Sequence, residues 1–143
     1  MPCSSAMLPQ ILHPEELKGY RFSSNDQCRI ALLSHREPGD CTIFIEIHEP
    51  KNRVPAHSHH QAAELYFILR GSVIFHVDGQ TIQAHQGDFV TVPGAAIHDL
   101  ENPGCGRLYI LTVLSRDEGF AERLAESIPT PLDAEDIETL HSL

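Results

Sequence analysis

The 143-residue sequence predicts an all-β protein, an antiparallel double sheet closing into a barrel or sandwich and followed by a short helical carboxy-terminal extension. Three observations predict it. Between residues 29 and 114, short runs rich in Ile, Val, Leu, Phe and Thr recur at intervals of about 8 to 12 residues, each closed by turn residues. Asp78-Gly79, set between Phe75-His76-Val77 and Thr81-Ile82, is a two-residue hairpin signal, and Pro38-Gly39-Asp40 marks another turn. Nothing in 29–114 keeps helical periodicity long enough to connect parallel strands, which excludes a doubly wound sheet.

Taken in order, residues 1–28 are mixed and proline-containing, with one weakly amphipathic piece at Pro14-Glu15-Glu16-Leu17-Lys18, and read as an arm with a single helical turn. The barrel occupies 29–114, with strands expected at 29–34, 42–48, 55–60, 64–70, 72–77, 80–84, 88–92, 97–101 and 106–114. Residues 115–143 form the extension, packed on the barrel. Ser115-Arg116-Asp117-Glu118 has the form of a capping box, followed by Phe120, Ala121, Leu124, Ala125 and Ile128 on one helical face. Thr130-Pro131 repeats the start signal before a second helix near 132–141, with Leu132, Ile137 and Leu140 as its apolar residues.

Composition narrows the function classes. Hydrophobic residues make up 41% and charged residues 21% of the chain, and no apolar run approaches the roughly 18 residues that cross a bilayer. A membrane is therefore not an expected partner. The amino end lacks a secretory pattern, and four cysteines at 3, 28, 41 and 105 form no Cys-x-x-Cys pair, so free thiols in a reducing cytoplasm are expected. A net charge of −10 repels a phosphate backbone and argues against nucleic acid.

Chemistry concentrates in the histidines. His57-Ser58-His59 lies in a segment expected to be extended, where side chains two apart share a face with Cα atoms about 6.5 Å apart. Glu64 opens the next strand and His98 follows Pro93-Gly94-Ala95-Ala96-Ile97, so the four groups meet only if the sheet closes on itself. Three imidazoles and a carboxylate suit one divalent transition metal, Fe, Mn, Ni, Zn, Co or Cu, better than calcium or magnesium.

These residues carry a resemblance. His57-x-His59, four residues, Glu64, six residues and Gly71 resemble the first signature of the cupin superfamily, and Gly87, five residues, Pro93, His98 and Asn102 resemble the second. The likeness covers about residues 40–114 and is to small single-domain bacterial cupins of the RmlC-like jelly-roll type. It implies a conical barrel with a metal held by His57, His59, Glu64 and His98. Two positions depart from the pattern: Lys51 and Ala95 stand where the family usually has glycine, and Gly94 is expected to take up the turn beside Ala95.

If Glu64 points inward, Tyr66 and Ile68 follow it, and Tyr66 is the candidate catalytic residue, a phenol able to hydrogen-bond a ligand or pass a proton. Its alternative is an aromatic core filler. Ile43, Ile45 and Ile47 share one face and Phe44, Glu46 and His48 the other; with the isoleucines in the core, Glu46 and His48 are expected to be solvated, the alternative being that they line the cavity. His76 leaves the same choice open. Asp99 is expected at a polar rim, His60 at the surface, and His13, His35, His85 and His141 in solvated positions. Arg53, Arg70 and Arg107 are single candidates for an anionic ligand. The apolar outer faces at Leu65, Phe67 and Leu69 need cover, and a homodimer is expected, as is common in cupins.

The function expected by resemblance is a metal-dependent enzyme acting on a small molecule, with dioxygenase-like or isomerase and lyase chemistry. The alternatives are a non-catalytic binding or sensing cupin and a metal-free sugar epimerase, the last disfavoured by the full ligand quartet.

Overall fold

Asp78 and Gly79 take left-handed backbone angles, φ 46° and 81°, and close a hairpin in which Val77 faces Gln80. The computed structural model that shows this describes residues 9–34 and 41–143. The Pro38-Gly39-Asp40 turn and His35 lie outside the described residues. Around that hairpin the chain forms β1 (Gly19–Arg21), β2 (Cys28–Ser34), β3 (Thr42–His48), β4 (Arg53–His57), β5 (Glu64–Arg70) and β6 (Ser72–Val77). Then come β7 (Gln80–His85), β8 (Phe89–Val92), β9 (His98–Glu101), β10 (Leu108–Leu114), α1 (Phe120–Ala125), β11 (Ile128–Pro129) and α2 (Ala134–His141).

All strand pairings are antiparallel. One sheet has the order β11-β1-β2-β3-β10-β5-β8 and the other β4-β9-β6-β7, the two faces of a jelly roll. The expected bounds hold for 42–48, 64–70 and 72–77. The strand expected at 55–60 instead runs from Arg53 to His57, with an irregular register between Val54 and His57 against β9. His59 therefore reaches the interior from beyond the strand end and not by simple alternation.

Between the sheets, Tyr66, Ile68, Val73, Phe75, Leu100, Leu108 and Ile110 form one buried cluster. Each fully buried aliphatic or aromatic side chain of this kind contributes about 1.5–3 kcal/mol. Tyr66 and Ile68 thus follow Glu64 inward, and on β6 the buried residues are Val73 and Phe75.

On β3 the expected burial is reversed. Phe44, Glu46 and His48 face the barrel interior, while Ile45 and Ile47 pack on the outside with Tyr109, Leu17, Leu33, Leu132 and Leu140. His48, expected in solvent, is completely buried, and Glu46 is also buried. The reason is that this sheet is covered on both faces, so the isoleucines find an apolar partner without entering the barrel.

The helices start later than their sequence signals suggest. The helix expected after Ser115 begins at Phe120, with Gly119 (φ 80°) at its N-cap position. Ser115 Oγ accepts from Ala63 N at 2.9 Å, and the Glu118 carboxylate accepts from Gln61 N and Ala62 N at 3.1 and 3.3 Å. Both side chains bind a distant loop in place of a helix end. Thr130 likewise pairs with Gly19, its N donating to Gly19 O at 2.8 Å, and Asp133 caps α2 in a reciprocal box with Asp136.

Lys51 and Ala95, the two departures from glycine, both adopt left-handed backbone, φ 64° and 66°. The expectation that Gly94 absorbs the turn is corrected: Ala95 takes the strained angle itself. Gly94 answers a different need, since a Cβ there would stand 2.7 Å from Gln61 O.

Asp136 fastens α2 to the barrel. Its buried carboxylate accepts from both terminal nitrogens of Arg29, from Arg107 Nη1 at 3.0 Å and from the Tyr109 hydroxyl at 2.9 Å. Removing one partner of such a buried network costs about 3–5 kcal/mol. Asp136→Ala is expected to destabilise the protein by that amount and Asp133→Ala by about 1 kcal/mol, as read from urea unfolding. The hydrogen bond from Arg107 holds the Asp133 carboxyl below the usual range, so its contribution is complete above about pH 4 and fades as pH falls further.

Candidate metal centre

The two sheets bring His57, His59, Glu64 and His98 together, each offering one donor atom within 4.8 Å of all the others. His57 ends β4 and stands directly opposite His98 on β9, whereas Glu64 opens β5 in the other sheet. The ring centres of His57 and His98 are 4.4 Å apart, and those of His57 and His59 5.3 Å. Glu64 and His98 are buried; His57 and His59 form the more accessible side.

Backbone carbonyls set the imidazole tautomers. His98 Nδ1 lies 2.9 Å from Ala96 O and His57 Nδ1 3.0 Å from Pro55 O. A carbonyl only accepts, so each Nδ1 carries the proton and each Nε2 is left with its lone pair. His98 Nε2 and His59 Nε2 nevertheless lie 2.9 and 2.7 Å from the same oxygen, Glu64 Oε1. For His98, whose Nδ1 is committed to a carbonyl, a lone pair facing a carboxylate oxygen requires a positive charge between them, either an imidazolium proton or a cation. The donor set therefore fits a transition metal, with carbonyl bonds already orienting two of the imidazoles.

Tyr66 is fully buried beneath this cluster and donates its hydroxyl to Glu64 Oε2 at 2.5 Å. Burial, and then the Glu64 carboxylate, raise the phenol well above its ordinary pKa, so it stays protonated. Burial opposes ionisation of Glu64, but hydrogen bonds from His59, His98 and Tyr66 outweigh it and hold the carboxyl well below the usual range. For His98, burial lowers basicity, but the hydrogen bonds to Glu64 and Ala96 and the nearby Glu64 and Glu46 charges together outweigh it and raise the pKa above that of free imidazole.

The cluster opens on a cavity of about 640 Å³. Its walls are largely apolar: Phe120 stacks on Phe44 at 4.7 Å and meets Phe22 edge-on at 5.7 Å, with Ile30, Leu100 and Leu114 alongside. Of the three arginines considered for an anionic ligand, Arg53 lines the cavity, at 3.4 Å from Asp99. Arg70 instead donates to Ser142, and Arg107 is engaged by Glu49, Asp133 and Asp136. Asp99 pairs with Arg53 and, at 3.9 Å, His76, away from the four-residue cluster. His60, His85 and His141 are exposed, and His141 pairs with Glu15. Sequence reasoning missed Cys28, Asn52 and the aromatic wall as cavity residues; alternation along β3, read with Glu46 and His48 inward, was the available signal for the floor.

Fold and site together define a double-sheet barrel built around a candidate metal centre. A family profile described as cupin domain matches residues 37–114, and the protein belongs to the cupin family. It is similar to quercetin 2,3-dioxygenase of Bacillus subtilis, 29% identical over 92 residues, 64% of this chain and 27% of that protein. The oxalate-binding protein of Thermotoga maritima is 32% identical over 65 residues, 46% of this chain and 54% of that one. The chain thus spans between about a quarter and about half the length of these curated relatives. Among solved structures, a predicted oxalate decarboxylase from Thermotoga maritima superposes with a TM-score of 0.67 at 23% identity, covering 75% of this chain and 99% of that one. An RmlC-like cupin from Shewanella frigidimarina gives 0.65 at 14% identity, covering 76% and 92%. Among the described residues, no helix is long and apolar enough to cross a membrane.

Proposed function

We propose that the protein is a metal-dependent oxidoreductase that acts on a small, flat, mainly apolar molecule in dioxygenase-like chemistry, with His57, His59, Glu64 and His98 as ligands of one divalent transition metal. The observation that carries this reading is the convergence of three imidazoles and a buried carboxylate, donor atoms within 4.8 Å of one another, at the wall of an aromatic-lined cavity. Such an ion supplies Lewis acidity and open coordination positions. The chain's own residues do the rest: apolar walls exclude water, the phenylalanines face a planar ring, and Tyr66 positions Glu64 through its hydroxyl. Similarity to a protein named quercetin 2,3-dioxygenase supports the aromatic substrate class. The free thiols are consistent with a reducing cytoplasm.

Isomerase or lyase chemistry at the same ion is the next reading, and non-catalytic capture is the reading favoured by the relative named for oxalate binding. The apolar wall weighs against a small dianion as ligand. Elemental analysis is expected to find one transition-metal ion at this site, lost in His57→Ala and His98→Ala, with affinity lowered about 10- to 100-fold in Tyr66→Phe. Metal-loaded protein is expected to consume oxygen with catechols or flavonols, and His98→Ala to abolish uptake. Tight binding of the same compounds without turnover, on any metal, would favour the binding module.

Association as a homodimer is part of the proposal. Leu65 and Phe67 share the outer face of β5 with Phe89 on edge strand β8, where Phe67 and Phe89 stack at 4.5 Å and Phe89 is 67% exposed. Sedimentation is expected to show a dimer that Phe89→Glu converts to monomer; a wild-type monomer at all concentrations would remove this part.

A further inference from the structure

The cavity touches a second group of donor atoms that the four-residue cluster does not use. Cys28 on β2 and Glu46 and His48 on β3 are all buried, and their donor atoms lie within 4.8 Å of one another. Cys28 Sγ is 3.7 Å from His48 Nε2, and His48 Nε2 is 3.5 Å from Glu46 Oε1. A tetrahedral ion with bonds of about 2.3 Å to sulfur and about 2.0–2.1 Å to nitrogen and oxygen places its ligands about 3.6 Å (S to N) and about 3.3 Å (N to O) apart. The observed separations match those two edges to within about 0.2 Å.

The supports of these three side chains are those of a built site. Glu46 Oε2 accepts from Thr112 Oγ1 at 2.5 Å, which leaves Oε1 turned toward His48. Asn52 Nδ2 stands 3.2 Å from His48 Nδ1 and fixes the ring with Nε2 directed at Cys28 and Glu46; for Nε2 to bind an ion the amide turns over, so that Oδ1 accepts from a protonated Nδ1. Asn102 Nδ2 donates to His48 O, and Asp26 Oδ1 accepts from Cys28 N at 2.9 Å, so the backbone on both strands is held as well. Cys28 and Glu46 line the cavity beside Phe44 and Tyr66, leaving a fourth position open to a ligand.

Charge points the same way. Among the described residues, Glu46 has His48 as its ion-pair partner, with no arginine or lysine beside it. Burial, and then the Glu46 carboxylate, push the Cys28 thiol well above its ordinary pKa. The thiol is therefore poorly suited to act alone as a nucleophile, whereas a dication would reverse the sign of its surroundings and release its proton on binding.

We propose that Cys28, Glu46 and His48 form a second transition-metal site, a thiolate, carboxylate and imidazole tripod suited to zinc or cobalt and opening on the same cavity as the His57 cluster. Sulfur distinguishes it: the four-residue cluster offers nitrogen and oxygen alone, so the two sites differ in metal preference. This inference does not depend on the proposed reaction, since it concerns metal capture by different side chains.

Cobalt(II) provides the test, because a thiolate ligand gives a near-ultraviolet charge-transfer absorption that imidazole and carboxylate do not. The full chain carrying Cys3→Ser, Cys41→Ser and Cys105→Ser retains Cys28 as its sole thiol. With His57→Ala and His98→Ala added, it is expected to bind one cobalt with that absorption. In that background Cys28→Ser, which exchanges one atom and should leave the fold intact by circular dichroism, is expected to abolish both the band and the bound cobalt. Thr112→Val is expected to weaken cobalt about 10-fold with the stoichiometry kept. Folded protein that binds no cobalt once His57 and His98 are replaced, or binds it without the thiolate band, would overturn the proposal and leave the trio as a buried ion pair against a packed thiol.

Discussion

Glu64 is a carboxylate removed from water, and its ion-pair partners among the described residues are the imidazoles His59 and His98. An isolated buried charge of this kind is costly enough that its surroundings have to answer for it. They do so from several elements at once. β9 and the segment after β4 deliver the imidazoles, β5 delivers the Tyr66 hydroxyl, and closure of the two sheets is what makes these contacts simultaneous. The lone-pair geometry around Oε1 then selects what completes the site, namely a positively charged centre.

The barrel meets this demand because its larger sheet is covered on both sides. Ile45, Ile47 and Tyr109 are buried on the outer face beneath the amino-terminal segment and α2, and Asp136 anchors that helix through Arg29, Arg107 and Tyr109. With its largest aliphatic residues buried outside, β3 is free to turn Phe44, Glu46 and His48 inward. Polarity in the cavity is thus linked to the extension at the other end of the chain. The acidic carboxy-terminal segment is a structural partner of the sheet that carries the cavity floor.

Legibility in the sequence varied with the range of the interaction. The strands at 42–48, 64–70 and 72–77 were readable because period-two patterning and the Asp78-Gly79 turn are local properties of the chain. The first helix start was misread because the Ser115 and Glu118 side chains had better partners far away in sequence, at Ala63, Gln61 and Ala62. A capping motif states what a side chain can bind, and tertiary contacts decide what it does bind. Lys51 and Ala95 show the converse, since the left-handed backbone persists at both positions without glycine to ease it.

By itself the sequence determined the fold class and the antiparallel pairing, and through its two cupin-like motifs it singled out the four candidate ligands, because residue spacing and donor chemistry are written in order along the chain. Only the tertiary structure decided which face of β3 lines the cavity, that His59 approaches from beyond a strand end, and that Cys28 meets Glu46 and His48. Those outcomes depend on how both faces of a sheet are covered. That is a competition among distant apolar groups for burial, and a one-dimensional pattern does not contain its result.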